Sequence, residues 1–176
     1  QTDALMKSLR TTATTLLSWI DQALPESVHA KLSMPLPKML EGSSDNLLRI
    51  LHYPPLTGDE PEGAVRAAAH EDINLITLLP AATASGLQAK MATGEWVDVP
   101  INPDWIIINA GDMLQECTGG YYPSTPHRVL NPTGEDAKVS RLSMPFFLHP
   151  EASVRLSERH TADSYRRERF AELGLD

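Results

Sequence analysis

Between Leu47 and Leu148 the chain falls into short apolar or β-branched runs, each closed within a few residues by proline, glycine or asparagine. Leu47 to Tyr53 stops at Pro54-Pro55, Ile73 to Leu79 stops at Pro80, and Ser124 to Leu130 is bounded by Pro123 and Asn131-Pro132. Proline lacks the amide donor that helix interiors and central strands need, so such runs cannot merge into long elements. Gly86 to Met91 and Glu95 to Val99 flank Ala92-Thr93-Gly94, a hairpin pattern in which the glycine supplies positive φ. Trp105-Ile106-Ile107-Ile108 is apolar throughout up to Asn109, which predicts an interior strand. Val139 to Leu148 continues the series. Many short strands at close, regular spacing, framed by helices, predict a mainly β fold with an antiparallel double-sheet or jelly-roll core.

Helices are expected on either side. Leu5, Leu9, Leu16, Ile20 and Leu24 recur at helical spacing across residues 3–24, with Leu17 and Trp19 beside them, and Pro25 bars continuation. Ser33 to Ser44 reads as proline-punctuated connecting structure, and Ser164 to Leu173 as a charged helix. The expected division is residues 1–46 for the amino-terminal helix and connector, 47–150 for the core, and 151–176 for a tail and helix. At 176 residues the chain amounts to one domain. Its 15 basic against 23 acidic residues give −8, which argues against a nucleic-acid or anionic-membrane partner. The lone Cys117 leaves no internal disulfide and fits a reducing, cytoplasmic setting. The chain opens at Gln1 without an initiator methionine and is read as part of something longer.

Against this framework, one constellation carries chemistry. His70 and Asp72 lie two apart on an extended segment and so project from one face, while Glu71 points the other way. His127 follows on another short run. Two imidazoles and one carboxylate are the facial set that holds non-haem Fe(II) and leaves positions open. The pair alone is a weak signal: 6 histidines and 11 aspartates make about 0.4 such pairs expected by chance. Its context is what raises it, because both halves sit on or beside strands, the rigid support a metal geometry needs.

Six segments in order resemble the Fe(II)/2-oxoglutarate-dependent oxygenase superfamily, in its isopenicillin N synthase-like branch. They are Leu48 to Pro55, His70 to Leu79, Gly86-Leu87-Gln88, Asn109 to Gln115, Ser124 to Val129, and Arg141 to Phe147. The resemblance implies a double-stranded β-helix (jelly-roll) core with flanking helices. It implies that His70, Asp72 and His127 bind Fe(II), and that Arg141 and Ser143 hold a carboxylate of 2-oxoglutarate, with the Tyr53 hydroxyl reaching the same group. A guanidinium fork and a hydroxyl suit a carboxylate, and Arg141 and Ser143 share one strand face. Arg155-Leu156-Ser157 repeats the tripeptide, but Arg141 lies closer to His127 and opens a strand. The implied reaction couples oxidative decarboxylation of 2-oxoglutarate by O₂ to hydroxylation or a related oxidation of a small organic substrate.

The chain departs from the family in two ways. Leu51 stands where many plant members carry asparagine. Family members are also much longer, so part of the amino-terminal region that adds strands and pocket walls is expected to be missing. Two other readings stay open: an oxidase that uses no 2-oxoglutarate, as Thr118-Gly119-Gly120-Tyr121-Tyr122-Pro123 suggests by its likeness to isopenicillin N synthase, and a non-catalytic metal- or ligand-binding protein on the same scaffold. Among the remaining residues, His52 is expected on the outer strand face, and His29, His149 and His160 in solvent. Cys117 is expected as a small apolar residue, and Arg166-Arg167-Glu168-Arg169 as a solvated helix face.

Overall fold

A computed structural model describes residues 2–175. Helix α1 (Thr2–Gln22) buries a stripe of Leu9, Ala13 and Leu17, four residues apart, against the rest of the molecule. Thr11, Thr12, Thr14 and Thr15 on its outer side donate back to the carbonyls four residues earlier, so they sit in the helix without opening it. A short helix α2 (Glu26–His29) follows Pro25. The connector then tightens into a 3-10 turn (Leu36–Leu40) whose Leu36, Met39 and Leu40 are buried. The proline-rich segment is therefore part of the core, pinned by Arg10 Nη2 donating to the Leu40 carbonyl at 2.8 Å.

Ten strands follow: β1 (Leu47–Leu48), β2 (Leu51–Tyr53), β3 (Ala67–His70), β4 (Ile76–Pro80), β5 (Leu87–Lys90), β6 (Trp96–Asp98), β7 (Ile106–Ala110), β8 (His127–Val129), β9 (Arg141–Ser143) and β10 (Phe146–Leu148). Helix α3 (Asp112–Cys117) lies between β7 and β8, and α4 (Ala162–Glu172) closes the chain. One sheet has the order β1-β10-β4-β7, the other β3-β8-β5-β6, and β2 pairs with β9 in a ribbon. Every pairing is antiparallel. The arrangement is the expected jelly roll.

The period of two divides the first sheet cleanly. Ile76, Leu78, Phe146 and Leu148 point outward into the core shared with α1 and the 3-10 turn, while Thr77, Leu79 and Phe147 face a cavity between the sheets. Burying each of the large outward side chains contributes about 1.5–3 kcal/mol. With the helices packed on one face, the other face is left for the cavity.

Three expectations change. Leu47 to Tyr53 is two strands, because the chain leaves the first sheet at Arg49-Ile50 to enter the ribbon; the Arg49 amide still bonds the Pro145 carbonyl at 3.0 Å. The run after the histidine begins pairing at Ile76 instead of Ile73, since residues 72–75 curl into a loop. Finally, β7 is an edge strand with β4 as its one partner, and Ile106 and Ile108 are 40% and 44% exposed. Apolar sequence marked it as interior, but among the described residues no layer covers its outer face.

Candidate metal centre

His70 ends β3 and His127 begins β8, and the two residues are directly paired across the strands. That register brings the rings together, with centroids 4.3 Å apart and planes at 54°. Asp72 lies two residues on, in the loop before β4. One Asp72 oxygen, Oδ1, is 3.9 Å from His70 Nε2 and 3.7 Å from His127 Nε2. The three ligand atoms lie within 4.8 Å of one another.

The hydrogen bonds around these atoms suit a metal. His70 Nδ1 contacts the Ala68 carbonyl at 2.8 Å and His127 Nδ1 the Thr125 carbonyl at 2.9 Å. A carbonyl only accepts, so each Nδ1 carries a proton, an arrangement that in the neutral ring leaves Nε2 as the lone-pair donor. Asp72 is buried, and its Oδ2 accepts from Thr77 Oγ1 at 2.6 Å and Asn109 Nδ2 at 2.9 Å. Both protein donors fall on one oxygen and leave Oδ1 for an ion. Asn74 Nδ2 donates to Thr77 Oγ1 at 2.8 Å, which turns the threonine proton toward Asp72. The donor set, two neutral imidazoles and a carboxylate, fits ferrous iron with positions left open.

The loop that carries Asp72 is held by helix α3. The Gly111, Asp112 and Met113 amides donate to the carbonyls of Leu75, Asp72 and Asn74 at 3.0, 2.8 and 3.0 Å. Amides at a helix start have no partner within the helix, and here the metal loop supplies one. A Cβ on Gly111 would overlap Asn74 Oδ1 and come within 2.8 Å of the Asp72 carbonyl, so only glycine permits this approach.

The triad lines a cavity of about 380 Å³. Its walls are largely apolar: Leu79, Leu87, Val99, Ile107, Val129 and Phe147. In the same lining the paired strands β2 and β9 contribute two rungs, Leu51 with Ser143 and Tyr53 with Arg141. Arg141 is 2% exposed, its Nε donates to the Ala84 carbonyl at 2.9 Å, and its Nη1 is buried without a partner. Its guanidinium carbon lies 5.3 Å from the centre of the Tyr53 ring. Burial lowers the Arg141 pKa, Tyr53 opposes that shift, and the Arg66 charge adds to it. Among the described residues no carboxylate lies within 4 Å of this cation. A buried, unpaired guanidinium is unfavourable until an anion reaches it.

The structure therefore brings His70, Asp72 and His127 together, and Arg141, Ser143 and Tyr53 line the same cavity. Glu71 is exposed. Arg155 of the repeated tripeptide is exposed and lines none of this cavity. Leu51, in place of the plant asparagine, is a cavity wall. Sequence reasoning missed Thr77 and Asn109, although each is a polar residue inside an otherwise apolar run, and it missed Arg66, which also lines the cavity.

Outside the site, two expectations fail. His160 is buried at 7% exposure and stacks edge-on against Tyr165 at 5.3 Å, and His149 is partly buried with burial lowering its pKa. Of the basic run on α4, only Arg167 is fully exposed; Arg166 pairs with Asp45 at 2.7 Å and Arg169 approaches buried Asp112 at 3.5 Å. A helix that must dock on the core recruits those charges. His29 and His52 are exposed and Cys117 is buried, as expected.

Comparison with known proteins agrees with this geometry. Residues 44–150 match the model of the 2OG-Fe(II) oxygenase superfamily. The 2-oxoglutarate-dependent dioxygenase citB of Monascus ruber is 41% identical over 112 residues, 62% of this chain and 33% of that protein. A crystal structure of a Shewanella oneidensis protein is 58% identical with a TM-score of 0.89, covering 98% of this chain and 64% of that one. A full-length Neurospora crassa protein, crystallised in complex with alpha-KG, is 29% identical with a TM-score of 0.64, covering 73% of this chain and 45% of that one. The chain spans about a third of the length of the curated relatives it matches. By the match over its central residues, and by the fold that carries them, the chain belongs to the 2OG-Fe(II) oxygenase superfamily.

Proposed function

We propose that this chain is the core of a non-haem Fe(II) dioxygenase that couples decarboxylation of 2-oxoglutarate to oxidation of a small organic molecule. One observation carries the reading: a single cavity is lined both by a cluster of two imidazoles and a carboxylate and by a buried guanidinium whose Nη1 has no partner. A five-carbon 2-oxo acid with an acid group at each end has the chemistry to span the two.

In this reading His70, Asp72 and His127 hold Fe(II), and residues 47–150 form the oxygenase core. The bound ion, with O₂, supplies the oxidising power for decarboxylation and substrate oxidation. The chain's own residues do the placing. The Ala68 and Thr125 carbonyls fix both imidazoles in the Nδ1–H tautomer. Thr77 and Asn109 hold Asp72 to a single free oxygen. Arg141, Ser143 and Tyr53 receive the distal carboxylate, and the aliphatic walls exclude water from the reacting carbon. No described helix is long and apolar enough to cross a membrane, and the lone, buried Cys117 supports a cytoplasmic enzyme.

The test is anaerobic titration of the Fe(II)-loaded chain with 2-oxoglutarate, followed by measurement of ¹⁴CO₂ release in air. A weak visible metal-to-ligand charge-transfer band and CO₂ release are expected, both lost in His70→Ala. A band without CO₂ release would favour a binding protein. O₂ uptake on an organic substrate without 2-oxoglutarate would favour an oxidase.

A further inference from the structure

Arg66, immediately before β3, belongs to none of the groups assigned so far. Its Nη2 donates to the Pro54 carbonyl at 3.3 Å and the Val139 carbonyl at 3.2 Å. Pro54 follows Tyr53, and Val139 lies two residues before Arg141, so Arg66 sits beyond the Tyr53–Arg141 rung, on the side away from Ser143. Its Nε and Nη1 are buried without a partner, as is Arg141 Nη1. The guanidinium carbons of Arg66 and Arg141 lie 5.9 and 5.3 Å from the centre of the same Tyr53 ring. Both residues line the one cavity.

Among the described residues, neither guanidinium has a carboxylate within 4 Å. The only acidic residue lining the cavity is Asp72, and its side chain is committed at the triad. Two like charges beside one ring, with three buried nitrogens unbonded, repel each other and lack solvation. In a chain of net charge −8 this local excess of cations is not background. What satisfies such a pair is an anion with several acceptor oxygens in the cavity both residues line.

We propose that Arg66 is a second cationic ligand for the carboxylate received by Arg141, so that one acid group is gripped by two guanidiniums set against Tyr53. The proposal rests on the reading of the cavity given above. Its ligand class is a dicarboxylate, and the acid group is the one remote from the metal. The two Arg66 bonds to backbone carbonyls hold the side chain in place before the ligand arrives, which limits the ordering cost of binding.

Glutarate is the probe, because it has both acid groups of 2-oxoglutarate and lacks the 2-oxo group that chelates iron. Its binding to the full, metal-free chain is measured by calorimetry or ligand-observed NMR for the native protein, Arg66→Gln and Arg66→Lys. Arg66→Gln removes the charge and keeps a polar amide at the position of Arg66 Nε, and thermal unfolding checks that the fold survives the loss of the two Nη2 bonds. Glutarate affinity is expected to fall at least tenfold in Arg66→Gln and to recover in large part in Arg66→Lys. Equal affinity in Arg66→Gln, with only the melting temperature changed, would show a purely structural arginine and overturn the proposal, as would native protein that does not bind glutarate. Failure of the wider reading has a separate signature: glutarate still binds through Arg66, but the Fe(II) protein gives no charge-transfer band with 2-oxoglutarate.

Discussion

Thr77 Oγ1 donates to Asp72 Oδ2 at 2.6 Å, and it is the inward alternation of β4 that puts the threonine there. The adjacent Ile76 and Leu78 point into the helix-packed core, so a buried strand supports Asp72 from beneath. Because Asn109 donates to the same oxygen, Asp72 offers an ion one oxygen and not two. The paired donors favour monodentate binding, which keeps a coordination position open.

Thr77→Val removes one of those donors and leaves Asn74 Nδ2 without its acceptor. Fe(II) affinity is expected to fall about 10–100-fold, the usual effect of losing a partner that orients a ligand. Stability should drop by about 1–3 kcal/mol from the unpaired buried groups. Thr77→Ser should restore most of both. Calorimetric metal titration and the visible spectrum of the Co(II) protein are the checks; native affinity in Thr77→Val would remove the role assigned to this bond.

Arg141→Met separates binding from stability. Breaking a paired ion is destabilising, but Arg141 has no anionic partner until a ligand arrives, so replacing it with an apolar side chain of similar length is expected to leave the ligand-free protein equally or more stable. Affinity for 2-oxoglutarate should fall by about two orders of magnitude, on the scale of a charge-assisted contact worth about 1.5–3 kcal/mol or more. Thermal scans with and without 2-oxoglutarate test both halves. A large loss of stability in the ligand-free variant would mean that Arg141 is a structural cation.

The grouping of the three candidate ligands was legible because His70 and Asp72 are two residues apart and His127 opens a recognisable strand. Arg141 and Ser143 were legible for the same reason, as alternate residues of one short run. The surrounding layer was not. Thr77 and Asn109 meet the site through the register of β4 with β7, and Arg66 through its bonds to the Pro54 and Val139 carbonyls beside β2 and β9; no local pattern encodes such long-range pairing. The exposure of Ile106 and Ile108 was misread because an apolar run says that a strand seeks cover, not that cover is present. His160 and Arg169 looked solvated for the converse reason: their burial depends on where α4 docks.

Gly111→Ala tests the close approach of helix α3 to the metal loop. The added methyl would overlap the Asn74 side chain and crowd the Asp72 carbonyl. Backbone strain is not the cause, since Gly111 has φ −106°, open to any residue. Overpacking of this kind costs about 1–3 kcal/mol, and for a chain of this size each kcal/mol lowers Tm by about 2–4 °C. Because the loop must shift to relieve the clash, metal affinity should fall together with Tm. A variant that melts earlier but binds Fe(II) normally would uncouple the helix from the site.

His149 gives the protein a pH dependence that does not involve the metal. It follows β10, where its amide bonds Asn46 Oδ1 at 3.1 Å and its Nδ1 is buried without a partner. Burial is the main cause of its lowered pKa, and the Arg166 charge adds to the shift, while a backbone hydrogen bond at Asp45 and the Asp45 charge oppose it. Below the ordinary histidine value of about 6.5 the unfolded chain takes up a proton that the folded chain resists. The contribution is therefore complete above that value and is lost progressively as pH falls toward the depressed folded value. Urea midpoints measured from pH 7.5 to 5.5 are expected to decline more steeply for the native protein than for His149→Gln, which has nothing to protonate at this position. Parallel declines in the two proteins would mean that His149 is hydrated in solution, and would assign the acid sensitivity to the remaining histidines.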